Sequence, residues 1–302
     1  MTPPEEGVSS KEEFLKAIQE GRDLTLNADL TLDAQIPITK NVAVNLNGHT
    51  LSAAVSSALF QVRGATLTLK GNGAVTATRS VALATAGGRI VVENGQYTSD
   101  VDVAFRANQN GTVVVNGGHI TGRQGAITAP VGNGTIEVNG GMLDGVDNFA
   151  IATNGSSGRG GNKITINGGK LIGNIVTPGY EAVGVYIAND DTFVMNDGEI
   201  IANGGTGLCM RAGNVTIKGG RITATGASGQ DGKIADDGTI MTGTSAVIYH
   251  ESANYPGKAG MKLTVTGGTL TGVDHAIQVL SNEAEPQVFV TGGTFIPAYP
   301  EE

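Results

Sequence analysis

The chain of 302 residues contains no tryptophan, a single cysteine, seven Phe and six Tyr. It carries 19 Lys and Arg against 28 Asp and Glu, a net charge of −9. Each scarcity excludes something. One cysteine, Cys209, permits neither a disulfide scaffold nor a multi-cysteine zinc site. The deficit of positive charge argues against nucleic-acid binding, which needs a basic face for phosphate. No apolar run approaches the ~18 residues of a membrane span, so no membrane insertion is expected. The opening Met1-Thr-Pro-Pro-Glu-Glu-Gly7 lacks the basic and apolar regions of a secretory signal. That fits a protein made and assembled in the cytoplasm, a virion protein included, or a start Met added where a signal was removed.

Glycine is plentiful, at 47 residues, and it is placed by a repeat. Val113-Val-Val-Asn-Gly-Gly-His-Ile120 recurs as Ile136-Glu-Val-Asn-Gly-Gly-Met-Leu143 and as Ile164-Thr-Ile-Asn-Gly-Gly-Lys-Leu171. Later copies include Phe193–Ile200, Val215–Ile222, Leu263–Leu270 and Val288–Phe295. The marker glycines Gly95, Gly118, Gly141, Gly169, Gly198, Gly220, Gly268 and Gly293 are spaced 23, 23, 28, 29, 22, 48 and 25 residues apart. The interval of 48 reads as two periods with one degenerate coil inside. A second motif follows most markers: Ala104-Phe-Arg, Ala126-Ile-Thr, Ala150-Ile-Ala, Leu208-Cys-Met and Ala276-Ile-Gln, with Val185-Tyr-Ile and Val247-Ile-Tyr displaced by insertions. Each period therefore holds three short strands.

Alternation sets the facing: Val113 and Val115, Ile136 and Val138, Ile164 and Ile166 point inward, while Val114, Glu137 and Thr165 point out. A period of ~23 residues cannot bury its own apolar side, and stacking coil on coil at ~4.8 Å does so. In its repeat and turn glycines, over residues 24–296, the chain resembles the pectate-lyase-like right-handed parallel β-helix superfamily. The expectation is an all-β fold: a single-stranded right-handed parallel β-helix of about 10–12 coils. Residues 1–23 read as an arm and capping helix, 24–296 as the solenoid and 297–302 as a tail. Ser10 starts the helix as N-cap, Glu13 sits at the capping-box position, and Gly21 ends it.

Candidate site residues follow from residue type and register. His250 and Glu251, with Asp274 and His275, are the acid/base candidates and are expected one to two coils apart. Asp147 and Asp274 share a register but stand about five coils apart, roughly 20 Å or more, too far for a glycosidase carboxylate pair. Asp190, Asp191, Asp236 and Asp237 are the candidates for a Ca²⁺ site, although no cofactor is required by the pattern. Tyr180, Tyr186, Tyr249 and Tyr255 fall in register with loops and are candidate partner contacts. Val91, Val114, Val194 and Phe289 point outward on one sheet and suggest an interface for self-association, with a trimer favoured. Asn116, Asn139, Asn167 and Asn196 share a register; the turn's preference for Asn is the plainer account and a stacked ladder the alternative. Cys209 reads as a small buried hydrophobe.

The superfamily resemblance implies an enzyme only if its motifs are present. Asn-Thr-Asp and Gly-His-Gly are missing, and Arg221-Ile-Thr does not complete the family's Arg-Ile-Lys. The expected function is therefore a non-enzymatic structural and interaction protein. It is a phage virion component (capsid decoration, head fibre or tail appendage) that presents a rigid acidic rod to capsid proteins, a host surface or a cell-surface glycan. A bacterial cell-surface or secreted adhesin-like module is the alternative, and a polysaccharide lyase or glycoside hydrolase the second alternative.

Overall fold

The computed structural model describes residues 6–176, 182–225, 233–234, 240–241, 245–251, 255–281 and 285–297. The fold is a right-handed parallel β-helix. Among the described residues three parallel sheets run its length: sheet A with 12 strands, sheet B with 11 and sheet C with 10. The repeat motif ending in Asn-Gly-Gly lies on sheet A, the segment after that turn on sheet B, and the second motif on sheet C. The stacking register is in step from coil to coil, as in Ile136 with Ile164 and Leu143 with Leu171.

Glycine is required where coils turn from sheet A to sheet B. Gly118, Gly141 and Gly169 have φ of 84°, 82° and 84° and stack on one another, so a Cβ at Gly141 would lie 2.7 Å from the carbonyl oxygen of Gly118. Both the left-handed backbone and the close approach exclude other residues. The inward side chains form one continuous apolar core, from Val8 to Leu270. Its aromatic members pack in pairs, Phe14 with Phe60 at 6.4 Å and Tyr97 with Phe105 at 5.7 Å between ring centroids.

The helix α1 spans Lys11–Glu20, with the Ser10–Glu13 capping box and Gly21 in the left-handed conformation. Its buried residues Phe14, Ala17 and Ile18 lid the first coil. The segment before it is part of the solenoid: Glu6–Val8 pairs in parallel with Leu24–Leu26 as the first strand of sheet A. One period reading is corrected. The long interval contains no degenerate coil, because Asn214–Ile217 pairs directly with Lys262–Val265 and Arg221–Thr225 with Thr269–Gly272. The extra residues are insertions at two corners of a single coil.

The four asparagines form the ladder that the turn preference did not require. Asn139 Nδ2 donates to Asn116 Oδ1 at 2.9 Å, Asn167 to Asn139 at 2.8 Å and Asn196 to Asn167 at 2.7 Å. Asn116 in turn donates to the Glu93 carboxylate. None of the four has positive φ, so backbone geometry is not what selects Asn there. A parallel stack in register brings each carboxamide beside its copy, and each amide carries both a donor and an acceptor, so the chain of bonds can repeat from coil to coil.

Candidate binding cleft on sheet C

The outward register of sheet C runs Gln61, Leu83, Arg106, Thr128, Ala152, Tyr186, Cys209, Ile248 and Gln278. Outward positions of a solenoid normally meet water. Here Thr128, Ala152, Tyr186, Cys209 and Ile248 are all buried. With Val183 and Ala188 the last four build a second apolar cluster outside the main core, against Phe149 and Leu280. Cys209 is thus buried as expected, but on the outer face. The cover comes from the insertions: Tyr255 lies on Tyr186 and Gly155, and Ile240–Met241 lies against the strand Gly205–Met210.

Tyr255 is the keystone of that cover. Its hydroxyl lies 3.2 Å from that of Tyr186, and the Arg211 guanidinium stacks over its ring at 5.0 Å. The ring fits only because residue 155 is glycine, since a Cβ there would overlap it. Burial, with Cys209 and Tyr255 beside it, pushes the Tyr186 phenol far above its ordinary pKa, so it stays protonated.

Three cavities open in a row around this pair. One of ≈ 240 Å³ is lined by Arg106, Gln124, Thr128, Phe149, Asn154 and Tyr186 among others. A second, of ≈ 420 Å³, shares Thr153, Asn154 and Tyr186 with it and adds Ser156, Ser157 and Tyr255. The third, of ≈ 680 Å³, shares Tyr255 and is lined by Glu251, Met261, Glu285 and Gln287. Arg106 is held by Asp102, four residues before it on the same coil, at 2.5 Å and by the Ser80 hydroxyl of the preceding coil at 3.1 Å.

The loop that walls the cleft is clamped from beneath by Asp191, which is 1% exposed. Its Oδ1 accepts from Asn162 N at 2.9 Å and Asn162 Nδ2 at 2.8 Å. Asn162 Oδ1 accepts from Gly134 N at 2.8 Å, and its Nδ2 also donates to the Arg159 carbonyl. Desolvation raises the Asp191 pKa, although hydrogen bonds from Thr153 and Asn162 oppose it. Sequence reasoning offered Asp191 as a Ca²⁺ ligand. Its Oδ1 accepts from both Asn162 amides, and Asp190 beside it faces solvent. Among the described residues no three His, Cys, Asp or Glu side chains converge as a metal site. Asp236 and Asp237 lie outside the described residues.

Of the tyrosines, Tyr186 and Tyr255 meet in the cleft. Tyr180 lies outside the described residues. Tyr249 is 2% exposed and in the inward register with Met210; its hydroxyl donates to the Met261 carbonyl at 3.4 Å, and it lines the floor of the 680 Å³ cavity. The acid/base candidates do lie on neighbouring coils but are not brought together. Ser245 pairs with His275 and His250 with Leu280, so the two histidines stand at opposite ends of paired strands, five residues or roughly 16 Å apart. Glu251 accepts from the Ser281 hydroxyl at 2.7 Å. His250 is half-buried, and burial together with the Arg211 charge pushes its pKa down to about 4.

The expected apolar strip on sheet A is broken. Its column reads Thr68, Val91, Val114, Glu137, Thr165, Val194, Thr216, Thr264 and Phe289. Only Val91 and Val114 are adjacent, and Val114 is 3% exposed. Phe289, at 45%, is open but separated from the others by threonines, with the Lys262 ammonium over its ring.

Sequence reasoning missed Arg106, Phe149, Asn154, Asp191's clamp partner Asn162, and Arg211. The available signal was the pair of long connections after the second motif, at 154–162 and 251–261. Comparison with protein-family models, with curated proteins and with solved structures gives no match.

Proposed function

We propose that the protein is a non-catalytic interaction rod that holds a stretch of surface glycan in the sheet C cleft. The observation that carries this reading is the row of three cavities joined through Tyr186 and Tyr255. The part-exposed Tyr255 ring, which lines two of the cavities, suits the apolar face of a sugar ring. Asn154, Ser156, Ser157, Gln124 and Thr128 supply further donors and acceptors along the walls. A stiff solenoid with a continuous core presents such a surface with little ordering cost on binding. The setting is a virion appendage in contact with capsid proteins at one place and a host surface at another; a bacterial surface or secreted module would use the same chemistry. Labelled antibody seen on purified particles or on cells separates the two settings.

The test is a glycan array followed by titration of the best ligand. Tyr255→Ala should weaken binding about 30-fold, the consequence of losing roughly 2 kcal/mol at a central aromatic contact. Absence of any glycan binding by the unaltered protein, or equal binding by the variant, overturns the reading. Release of reducing ends that is lost in Glu251→Gln would replace it with catalysis in the cavity that Glu251 shares with Glu285.

Self-association, a trimer being favoured, is the second part of the proposal. Light scattering should give a multiple of 30.6 kDa, and a single chain overturns it. A multimer that is lost in Val91→Lys puts the contact on sheet A.

A further inference from the structure

We infer that Asn154-Gly155 is a spontaneous modification site, at which the Asn154 side chain cyclises onto the Gly155 nitrogen. In that reaction the Gly155 amide nitrogen, giving up its proton, attacks Asn154 Cγ. The Cγ–Nδ2 bond breaks and ammonia leaves. Water then opens the succinimide at either carbonyl, giving aspartate or isoaspartate. No oxidant or cofactor is needed, and glycine at the second position leaves the attacking nitrogen unhindered.

The chain holds ten Asn-Gly pairs, and the fold treats them differently. In the ladder, the carboxamides of Asn139 and Asn167 are held on both sides. Asn139 Nδ2 donates to Asn116 and Glu137 while its Oδ1 accepts from Asn167. Asn167 Nδ2 donates to Asn139 and its Oδ1 accepts from Asn196. Rotation of either side chain onto the following peptide breaks these bonds. At Asn154 the arrangement is the reverse. Its Oδ1 accepts from Ser156 N at 2.8 Å, which curls the carboxamide over the next peptide. That N–H also faces the oxygen on which negative charge grows as the tetrahedral adduct forms, as an oxyanion-hole donor does. Among the described residues Asn154 Nδ2, the leaving group, donates to nothing. The Asn189 side chain holds the Asn154 carbonyl at 2.8 Å and steadies the backbone during the attack.

The consequence falls on the cleft. Asn154 lines both the 240 and the 420 Å³ cavities. Conversion puts a carboxylate between them, and the isoaspartate form lengthens the main chain beside Tyr255. The effect on glycan binding rests on the function proposed above; the chemistry does not.

The whole protein is held at mildly alkaline pH in heavy-oxygen water, digested, and read by fragment-ion mass spectrometry. Heavy oxygen should enter at Asn154 about tenfold or more faster than at Asn139 and Asn167, because three hydrogen bonds hold the Asn139 amide and two hold that of Asn167. Ser156→Pro, which removes the N–H, should slow labelling at residue 154 and leave the ladder unchanged. Equal rates at Asn154 and the ladder residues, or no effect of Ser156→Pro, overturn the proposal. If labelling proceeds as stated while binding of the array-selected glycan does not change, the modification site stands and the assignment of the cleft falls.

Discussion

Replacing Asp191 separates two roles that a buried carboxylate can have, charge and hydrogen-bond geometry. Asp191→Ala removes the acceptor for two donors of Asn162, its backbone N–H and its Nδ2. Asn162 is 1% exposed, so water does not readily replace what is lost. The Nδ2 keeps its bond to the Arg159 carbonyl, and the backbone N–H loses its partner outright. An unsatisfied buried donor costs about 1–3 kcal/mol and a weakened one less, so Asp191→Ala should cost roughly 2–4 kcal/mol. Asp191→Asn keeps an oxygen in place. Because desolvation raises the Asp191 pKa, the charge is itself a liability, and losing it offsets part of the weaker hydrogen bonds. That variant should lie within about 1 kcal/mol of the parent. Urea unfolding gives the stabilities. Hydrogen exchange at Asn162 and Gly134 shows whether the loss is local, as expected of a solenoid whose coils interact mainly with their neighbours. Equal destabilisation by Asn and Ala would refute the reasoning, since it would make charge the essential property. A negligible effect of Ala would show that loop 154–162 does not depend on the clamp.

In the ladder, Asn139→Ala removes three hydrogen bonds and Asn196→Ala one, so the former should cost more, about 1–2 against ~0.5 kcal/mol at these exposed positions, read from chemical denaturation. Gly155→Ala should displace the Tyr255 ring and abolish glycan binding with little change in unfolding midpoint, because the clash lies in the cover and not in the core. A structure of the variant with Tyr255 unmoved would contradict this. His250 titrates at about 4 in the folded chain against 6.5 in the free side chain, so the unfolded state binds the extra proton. Stability from this site is full above pH 6.5 and is lost as pH falls from 6.5 towards 4. Partial solvent screening limits the loss to on the order of 1 kcal/mol. His250→Gln should flatten that part of the stability profile, and an unchanged slope would remove His250 as its source.

The sequence by itself determined the solenoid. Marker glycines and period-two alternation are local signals: a left-handed turn accepts little but glycine, and a strand with one buried face must alternate. The Ser10–Glu13 cap and Gly21 stop were legible for the same reason, since all three act within one helical turn. The ladder lay half in view, because its asparagines share a register. What the sequence could not tell was whether their amides meet across intervals of 23 to 29 residues. Only the tertiary structure decided where the site is. Tyr186 and Tyr255 touch across 69 residues of chain, and Asp191 reaches Asn162 across 29. Register also decided against the acid/base pair, because pairing Ser245 with His275 sends His250 to the far end of its strand. Tyr249 and Tyr186 look alike in sequence, each in a β-strand beside an insertion. The pleat turns one into the core and the other out beneath Tyr255, and that difference of one residue in register is what makes the cleft.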